Sequence, residues 1–184
     1  IFKGEFFAVD IPTSLENRAQ KVVVPEAGQI QVKGWRDHEL PLYAASRSPE
    51  GRKTIAEHCD VWFAEYKPGY RNFEQNLEMV RRDVGQMSEI CARAGRKLGF
   101  GLNPLVICED TMEKALALAD MIEDPSNKDR ISNSLGAGLV GTPDVVAERI
   151  RRMEEAGITD LMLRFTPMQD GLERFGERVM TLLA

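Results

Sequence analysis

The feature that most constrains the fold is a repeated alternation, from Leu42 onward, between a short apolar run and a longer amphipathic stretch. Apolar residues in the long stretches recur every three or four positions, as they do on the buried face of a helix. A short apolar run followed by such a stretch is typical of a βα unit, and consecutive units form a parallel sheet with crossover helices. The strands predicted in this way are Leu42–Ala45, Val61–Ala64, Leu98–Cys108 and Asp160–Phe165.

Four βα units are half the number in a TIM (β/α)8 barrel, which typically needs about 250 residues. The chain has 184 residues, so the sequence predicts an α/β half barrel rather than a closed barrel. Residues 1–40 contain short β-like runs separated by prolines and a glycine, and predict an extended arm or hairpin before the half barrel of residues 41–184. Residues 123–138 are polar and too long for a routine connection, so we interpret them as a mobile loop, either a functional lid or a disordered segment.

Charge and residue usage exclude several classes of protein. Lys and Arg number 24 against 29 Asp and Glu, a net charge of −5, which is unlike the basic surface of a general nucleic-acid binder. Cys59, Cys91 and Cys108 have no CxxC spacing and are too few for a disulfide framework, which favours a reducing compartment and a cytoplasmic protein. No apolar run approaches the roughly 18 residues of a membrane span. His38 and His58 have no partners at metal-ligand spacing, so we expect no metal site.

The strongest candidate site follows the first predicted strand. Ser46, Arg47, Ser48 and Gly51 surround the start of the helix that begins at Pro49. Free N–H groups at a helix start favour an anion, arginine adds charge, and glycine lets a ligand approach the backbone, so this segment can hold a phosphate. Helix caps are far commoner than phosphate sites, and on spacing alone the simpler interpretation is that Ser48 only caps the helix.

Two other features are less specific. Gly136–Gly141 matches the GxGxxG pattern of dinucleotide-binding loops, but a polar loop precedes it instead of a strand, which favours an ordinary glycine loop before the helix that begins at Thr142. Arg130, in the long loop, and Arg164, on the last strand, are the cations best placed to meet an anionic substrate. Both arginines are equally compatible with ordinary surface positions.

Six sequence blocks, spread in order over nearly the whole chain, resemble the bacterial luciferase-like flavin monooxygenases. Within that family the similarity is greatest to the alkanesulfonate, dimethylsulfone and pyrimidine monooxygenases. The blocks are FKGEFF at Phe2–Phe7, LYAASRSP at Leu42–Pro49, IAEHCDVW at Ile55–Trp62, AGR at Ala94–Arg96, LVGTP at Leu139–Pro143 and EAGI at Glu155–Ile158.

The resemblance implies a TIM barrel that binds reduced FMN, delivered by a separate flavin reductase. It also implies that O₂ is used to oxygenate a small organic substrate such as a sulfonate, a sulfone or an N-heterocycle. The family's arm, matched here by Phe2–Val9, lies about halfway along its members, so the chain corresponds to the carboxyl-terminal half, barrel units five to eight. We expect this fragment alone to be inactive, and the whole protein to form a homo-oligomer with no membrane or nucleic-acid partner.

The family's flavin phosphate lies at the loop matched by Ser46, Arg47, Ser48 and Gly51, which makes these the expected cofactor-binding residues. The family usually has two glycines and two serines there, so the backbone contacts are expected to persist where the side chains of this chain differ. The family's mobile loop often carries an arginine, and Arg130 is our candidate for that catalytic residue. Two alternatives stay open: an oxidoreductase that uses a deazaflavin coenzyme, and a non-catalytic flavin-binding half barrel that dimerises to cover its open edges.

Overall fold

In a computed structural model of the chain, the described residues are 14–17, 20–23, 41–124 and 130–184, with side chains described for 41–124 and 134–184. The chain forms two compact units, residues 1–40 and residues 41–184. In the first unit, β1 (Ser14–Asn17) and β2 (Gln20–Val23) form an antiparallel pair. The rest of residues 1–40 lies outside the described residues, and their role as an arm stays a prediction.

The second unit alternates strands with helices, as the sequence predicts. Its strands are β3 (Tyr43–Ala44), β4 (Val61–Phe63), β5 (Gly99–Leu102), β6 (Leu105–Cys108), β7 (Val140–Gly141), β8 (Asp160–Leu161) and β9 (Arg164–Phe165). Its helices are α1 (Pro49–His58), α2 (Phe73–Arg93), α3 (Met112–Glu123), α4 (Pro143–Glu155), α5 (Met168–Arg174), a π-helical turn (Phe175–Val179) and α6 (Met180–Leu183). Short 3₁₀-helices lie at Tyr70–Asn72 and Arg130–Ala137.

Every strand pair described in the second unit is parallel. The strands follow the order β3-β4-β5-β8 in one sheet and β7-β6-β9 in the next. Each parallel connection passes through at least one helix, as parallel pairing requires. The structure therefore confirms the predicted α/β class, with parallel strands and intervening helices.

Two of the predicted strands are each divided in two, and one short strand is missed by the sequence analysis. Pro104 separates β5 from β6 because proline has no N–H to donate to a neighbouring strand. Its carbonyl still accepts a hydrogen bond from the Arg164 N–H (2.9 Å), so the ladder with the last strand crosses the break. The missed strand, β7, pairs with β6 through Val140 opposite Ile107. Two residues are too short a run to produce a strand pattern in the sequence.

The sheet β3-β4-β5-β8 curves. Its first and last strands are not neighbours, yet the Tyr43 hydroxyl on β3 donates a long hydrogen bond (3.4 Å) to Oδ1 of Asp160 on β8. Between them, Phe63 covers Gly101, where an added Cβ would lie 2.8 Å from the ring. Tyr43, Phe63 and Asp160 therefore share the concave face of the sheet.

The main core lies on the opposite, convex face, between the sheet and helices α1, α2 and α4. Trp62 on β4 is 1% exposed and Met87 on α2 is fully buried. Burying side chains of this size contributes on the order of 1.5–3 kcal/mol each. A smaller core lies beneath α3 and consists of Tyr70, Leu105, Ile107, Ala115, Ala119, Ile122, Leu135 and Val140.

Part of the predicted loop 123–138 is packed. Residues 125–129 lie outside the described residues, whereas Arg130–Ala137 form a 3₁₀-helix. Leu135 and Ala137 are buried, and Gly136 meets the carbonyl oxygen of Lys67 so closely that an added Cβ would lie 2.1 Å from it. Apolar side chains thus hold the end of this segment against the core, and the mobility of the remainder stays a prediction.

Tyr70 connects the start of α2 to the end of α3. Its buried hydroxyl donates to Oδ1 of Asp120 (2.7 Å), whose two oxygens also accept from Arg71 (2.8 and 3.2 Å). Its backbone N–H donates to the Glu123 carboxylate (3.0 Å). Burial, and then the hydrogen bond to Asp120, raises the pKa of Tyr70 to about 12.

We predict that Tyr70→Phe reduces the fall in the free energy of unfolding that the wild type shows at alkaline pH. The unfolded chain releases this proton at the ordinary pKa of 10.0, whereas the folded protein holds it up to about 12. The free energy of unfolding therefore falls as the pH rises through this range. Urea unfolding at about pH 8 and about pH 11 checks this, because the wild type should lose more stability than the variant between the two. Equal losses would contradict the assignment.

Candidate functional site

The carboxyl ends of the parallel strands meet at one edge of the sheet, where ligands bind in α/β folds. An open cleft of about 520 Å³ lies there. Residues that follow β3, β4 and β5 line it, together with one residue of the 3₁₀-helix 130–137. They include Ala45, Arg47, Glu65, Tyr66, Asn103 and Ser134.

Three of the four predicted phosphate-binding residues come together at the start of α1, in the segment whose Ala45 and Arg47 line this cleft. Ser48 caps the helix, because its Oγ accepts a hydrogen bond from the Gly51 N–H (3.0 Å). The hydroxyl oxygens of Ser46 and Ser48 lie 3.4 Å apart. A Cβ on residue 51 would lie 2.0 Å from the Ser46 Oγ, so only glycine leaves room for both hydroxyl groups. The cap and the hydroxyl-lined cradle are the same structure, so this geometry is compatible with both a helix cap and a phosphate site.

The fourth predicted residue, Arg47, has a carboxylate partner. Its Nε forms an ion pair with Oε2 of Glu65, which follows β4. The arginine side chain is 80% exposed and the glutamate side chain 37% exposed, and a pair as exposed as this adds little to stability. A phosphate at the cradle would therefore replace the Glu65 carboxylate as the partner of Arg47. Glu65 directly follows a predicted strand, so the rule on carboxyl ends could have found it in the sequence.

Tyr66 and Asn103 form the inner wall of the cleft. The Tyr66 hydroxyl donates to the backbone carbonyl of Asn103 (2.5 Å). Burial raises the pKa of Tyr66, and a hydrogen bond from Ser134 and the charge of Arg164 reduce that rise. The side-chain Oδ1 of Asn103 is buried with no hydrogen-bond partner among the described residues. A buried acceptor without a donor is costly, which makes this atom a contact point for a ligand N–H or O–H group.

Asn76, on α2, holds two walls of the cleft together. Its Nδ2 donates to the carbonyls of Gly136 (2.6 Å) and Lys67 (3.0 Å), and its Oδ1 accepts from the Lys67 N–H (2.8 Å). The residue is 3% exposed. The segment that carries Tyr66 is thus fixed to the 3₁₀-helix that carries Ser134. The sequence analysis missed Asn76, although a lone amide on an apolar helix face is a signal for such a clamp.

The structure describes the side chain of only one of the two predicted substrate cations. The backbone of Arg130 begins the 3₁₀-helix, but its side chain lies outside the described residues, so its catalytic role stays a prediction. Arg164 lies on β9, and its Nη1 donates to the Ser134 Oγ (3.1 Å).

The glycines of the GxGxxG match serve packing. Gly136 meets the Lys67 carbonyl, and Gly138 adopts a φ of +73° with Phe73 against it. In a dinucleotide fingerprint the glycines follow the strand, whereas here Gly136 and Gly138 precede β7. This agrees with the interpretation of the segment as an ordinary glycine loop.

Two kinds of feature are absent from the described part of the chain. No group of three or more His, Cys, Asp or Glu side chains there is arranged to hold a metal ion. None of the helices in that part is both long enough and apolar enough to cross a bilayer.

We predict that Asn76→Ala lowers the free energy of unfolding by at least about 2 kcal/mol, because it leaves the Lys67 N–H and two carbonyls without their partner. Asn72→Ala is the matched control: the side chain of Asn72 is half-buried and donates one hydrogen bond, to the Pro68 carbonyl (3.2 Å). Its loss should cost less than about 1 kcal/mol. Urea unfolding of both variants measures the difference, and equal costs would show that Asn76 is no clamp.

Known proteins show where this arrangement belongs. A family model of luciferase-like monooxygenases matches residues 2–135. The FMNH(2)-dependent dimethylsulfone monooxygenase of Pseudomonas fluorescens is 23% identical over 141 residues, covering 59% of this chain and 38% of that protein. The sulfoquinovose monooxygenase of Novosphingobium aromaticivorans is 23% identical over 181 residues, covering 76% and 48%. The chain therefore spans less than half the length of these two relatives.

Two solved structures share the fold. DmoA from Hyphomicrobium sulfonivorans superposes with a TM-score of 0.60 at 18% identity, over 77% of this chain and 40% of that one. An F420-dependent secondary alcohol dehydrogenase superposes with a TM-score of 0.55 at 18% identity, over 98% and 55%. With the parallel strands, the intervening helices and the family match over residues 2–135, these similarities establish that the chain belongs to the luciferase-like monooxygenase family.

Proposed function

We propose that the full polypeptide containing this chain is an FMNH₂-dependent monooxygenase, which uses O₂ to oxygenate a small organic substrate such as a sulfonate, a sulfone or an N-heterocycle. Family membership supports this, as does the relative named for its FMNH(2) dependence. The observation that carries the proposal is the cradle formed by Ser46, Ser48 and Gly51, whose chain neighbours Ala45 and Arg47 line the same cleft as Tyr66 and Asn103.

The cradle fits a phosphate group. It lies at the start of α1, where backbone N–H groups and the helix dipole favour negative charge. Two hydroxyl groups can donate to phosphate oxygens, and Arg47 adds a cation at the mouth of the cleft. Because Gly51 has no Cβ, there is room for both hydroxyl groups beside it. We therefore assign Ser46, Arg47, Ser48 and Gly51 to the phosphate of FMN.

The inner wall fits the flavin ring. The ring system carries an N–H group, and the buried Oδ1 of Asn103 lacks such a donor among the described residues. Phe63 and Tyr66 add aromatic surface at the same cleft. A buried hydrogen-bond acceptor without a protein donor among the described residues, beside flat aromatic side chains, is the pattern expected of a cofactor pocket.

When bound, reduced FMN would supply the electrons that activate O₂. The chain's own residues would bind and orient the flavin and exclude water from it. The Tyr66 hydroxyl keeps its proton at neutral pH, since burial raises a pKa that is ordinarily 10.0, and it donates that proton to the Asn103 carbonyl. We assign the catalytic cation to Arg130 on the basis of the sequence alone.

The remaining features of the proposal concern the whole protein. We propose that a separate flavin reductase delivers the reduced cofactor, that the protein is a homo-oligomer in the cytoplasm, and that residues 41–184 form barrel units five to eight. We also propose that residues 123–138 close over the flavin and that this chain alone is inactive.

One second candidate has a specific observation in its favour. The F420-dependent dehydrogenase shares this fold, so the cleft could hold a deazaflavin coenzyme and carry out hydride transfer without O₂. Anaerobic titration of the full polypeptide with FMNH₂ and with reduced F420 separates the two. Tight binding of F420 with no binding of FMNH₂ would replace the monooxygenase proposal.

We predict that Gly51→Ala weakens FMN binding to the full polypeptide by about tenfold or more, because the added Cβ displaces the two serine hydroxyl groups. Gly85→Ala is the matched control. Gly85 lies within α2, and an added Cβ there meets nothing within 4 Å. It should leave FMN affinity unchanged and raise the free energy of unfolding by about 0.5–1 kcal/mol.

Flavin fluorescence titrations measure both affinities. If Gly51→Ala and Gly85→Ala bind FMN with equal affinity, the assignment of the cradle to the FMN phosphate is wrong. An assay with flavin reductase, NADH and O₂ tests the reaction itself, and the proposal predicts oxygenated product from at least one sulfonate, sulfone or N-heterocycle. NADH consumption without any such product would contradict it.

A further inference from the structure

Arg164 stands on the concave face of the sheet, near its carboxyl edge. It lies four residues after Asp160, whose carboxylate meets Tyr43 across that face. Leu161, Leu163 and Phe165 pack against the main core. Side chains alternate along an extended chain, so Asp160 and Arg164 both face the other side. The guanidinium of Arg164 is therefore placed above the concave face, beside the cleft.

A buried hydroxyl group holds one end of that guanidinium. Arg164 Nη1 donates to the Ser134 Oγ (3.1 Å). Ser134 lines the cleft together with Tyr66, whose hydroxyl donates to the Asn103 carbonyl. Ser134 is 8% exposed, which gives the arginine a fixed, buried anchor.

The rest of the guanidinium has no protein partner among the described residues. A guanidinium has five N–H donors, and Ser134 accepts a hydrogen bond from only one of the five on Arg164. Two other arginines near this edge do have carboxylate partners: Arg47 pairs with Glu65, and Arg174 pairs with Glu109. No carboxylate within the described part of the chain forms an ion pair with Arg164, although the residue is exposed and its partner Ser134 lines the cleft.

We propose that Arg164 is the specificity-determining residue that binds an anionic oxygen group of the substrate, of the sulfonate, carboxylate or phosphate class. An arginine with an open fork, fixed by a neutral hydroxyl group, matches two oxygens of such a group. Arg164 lies on the last strand, β9, whereas the cradle follows the first strand of the second unit, β3, so we assign the two sites to different anions. The proposal rests on the proposed function, because it assigns a substrate to the same cleft.

The test compares an anion with a neutral molecule of nearly the same shape. Methanesulfonate and dimethyl sulfone are titrated separately into the FMN-saturated full polypeptide, with the methyl NMR signal of each as the readout. Arg164→Gln should weaken methanesulfonate binding roughly 10- to 100-fold, because a charged hydrogen-bonding partner is lost. Arg164→Lys, which keeps the charge but not the fork, should weaken it less. Binding of dimethyl sulfone should be the same in every variant.

Arg93→Gln is the matched control. Arg93 is an exposed arginine at the end of α2, away from the carboxyl edge of the sheet, and its removal should leave methanesulfonate binding unchanged. Circular dichroism checks that each variant is folded. If Arg164→Gln does not fold, the comparison of Arg164→Lys with the wild type still tests the proposal.

Three results would overturn the proposal. The first is methanesulfonate binding that Arg164→Gln leaves intact, and the second is methanesulfonate binding no tighter than that of dimethyl sulfone. The third is a fall in FMN affinity equal to the fall in methanesulfonate affinity, which would assign Arg164 to the cofactor phosphate. If the wild type binds no FMN, the proposed function fails, and titration of the flavin-free protein still measures the role of Arg164.

Discussion

Parallel pairing is the constraint on which the rest of the structure depends. Because β3, β4, β5 and β8 all run in one direction, the segments that leave their carboxyl ends are collected at one edge. The concave face, marked by the contact between Tyr43 and Asp160, faces away from the helices. Side chains from distant positions in the sequence thereby form one cleft. Its lining includes Arg47, Tyr66, Asn103 and Ser134.

Polar clamps, rather than apolar packing alone, set the geometry of that edge. Asn76 fixes the Lys67 backbone to Gly136, and Tyr70 fixes the start of α2 to Asp120. Their hydrogen bonds are buried or half-buried, where a lost partner costs more than at the surface. The helices supply stability, and these clamps decide where the wall residues stand.

The sequence predicts the features that depend on local pattern. The α/β class, the helix that starts at Pro49 with Ser48 as its cap, and the grouping of Ser46, Ser48 and Gly51 all follow from periodicity and helix-start chemistry. The pairing of Arg47 with Glu65 and the clamp at Asn76 do not, because they depend on which loops the fold brings together. Strand β7 and the break at Pro104 are too short to shift a hydrophobic pattern.

We propose that the carboxyl edge of the parallel strands is the flavin-binding face, and hydrogen–deuterium exchange of the full polypeptide tests that assignment. On addition of FMN, we expect slower exchange at residues 46–52, which form the cradle and the start of α1, and at residues 64–68 in the wall of the cleft. We expect no change at the amino edge, at residues 94–99 and 156–160. Protection confined to the amino edge, or no protection at residues 46–52 with FMN bound, would contradict it.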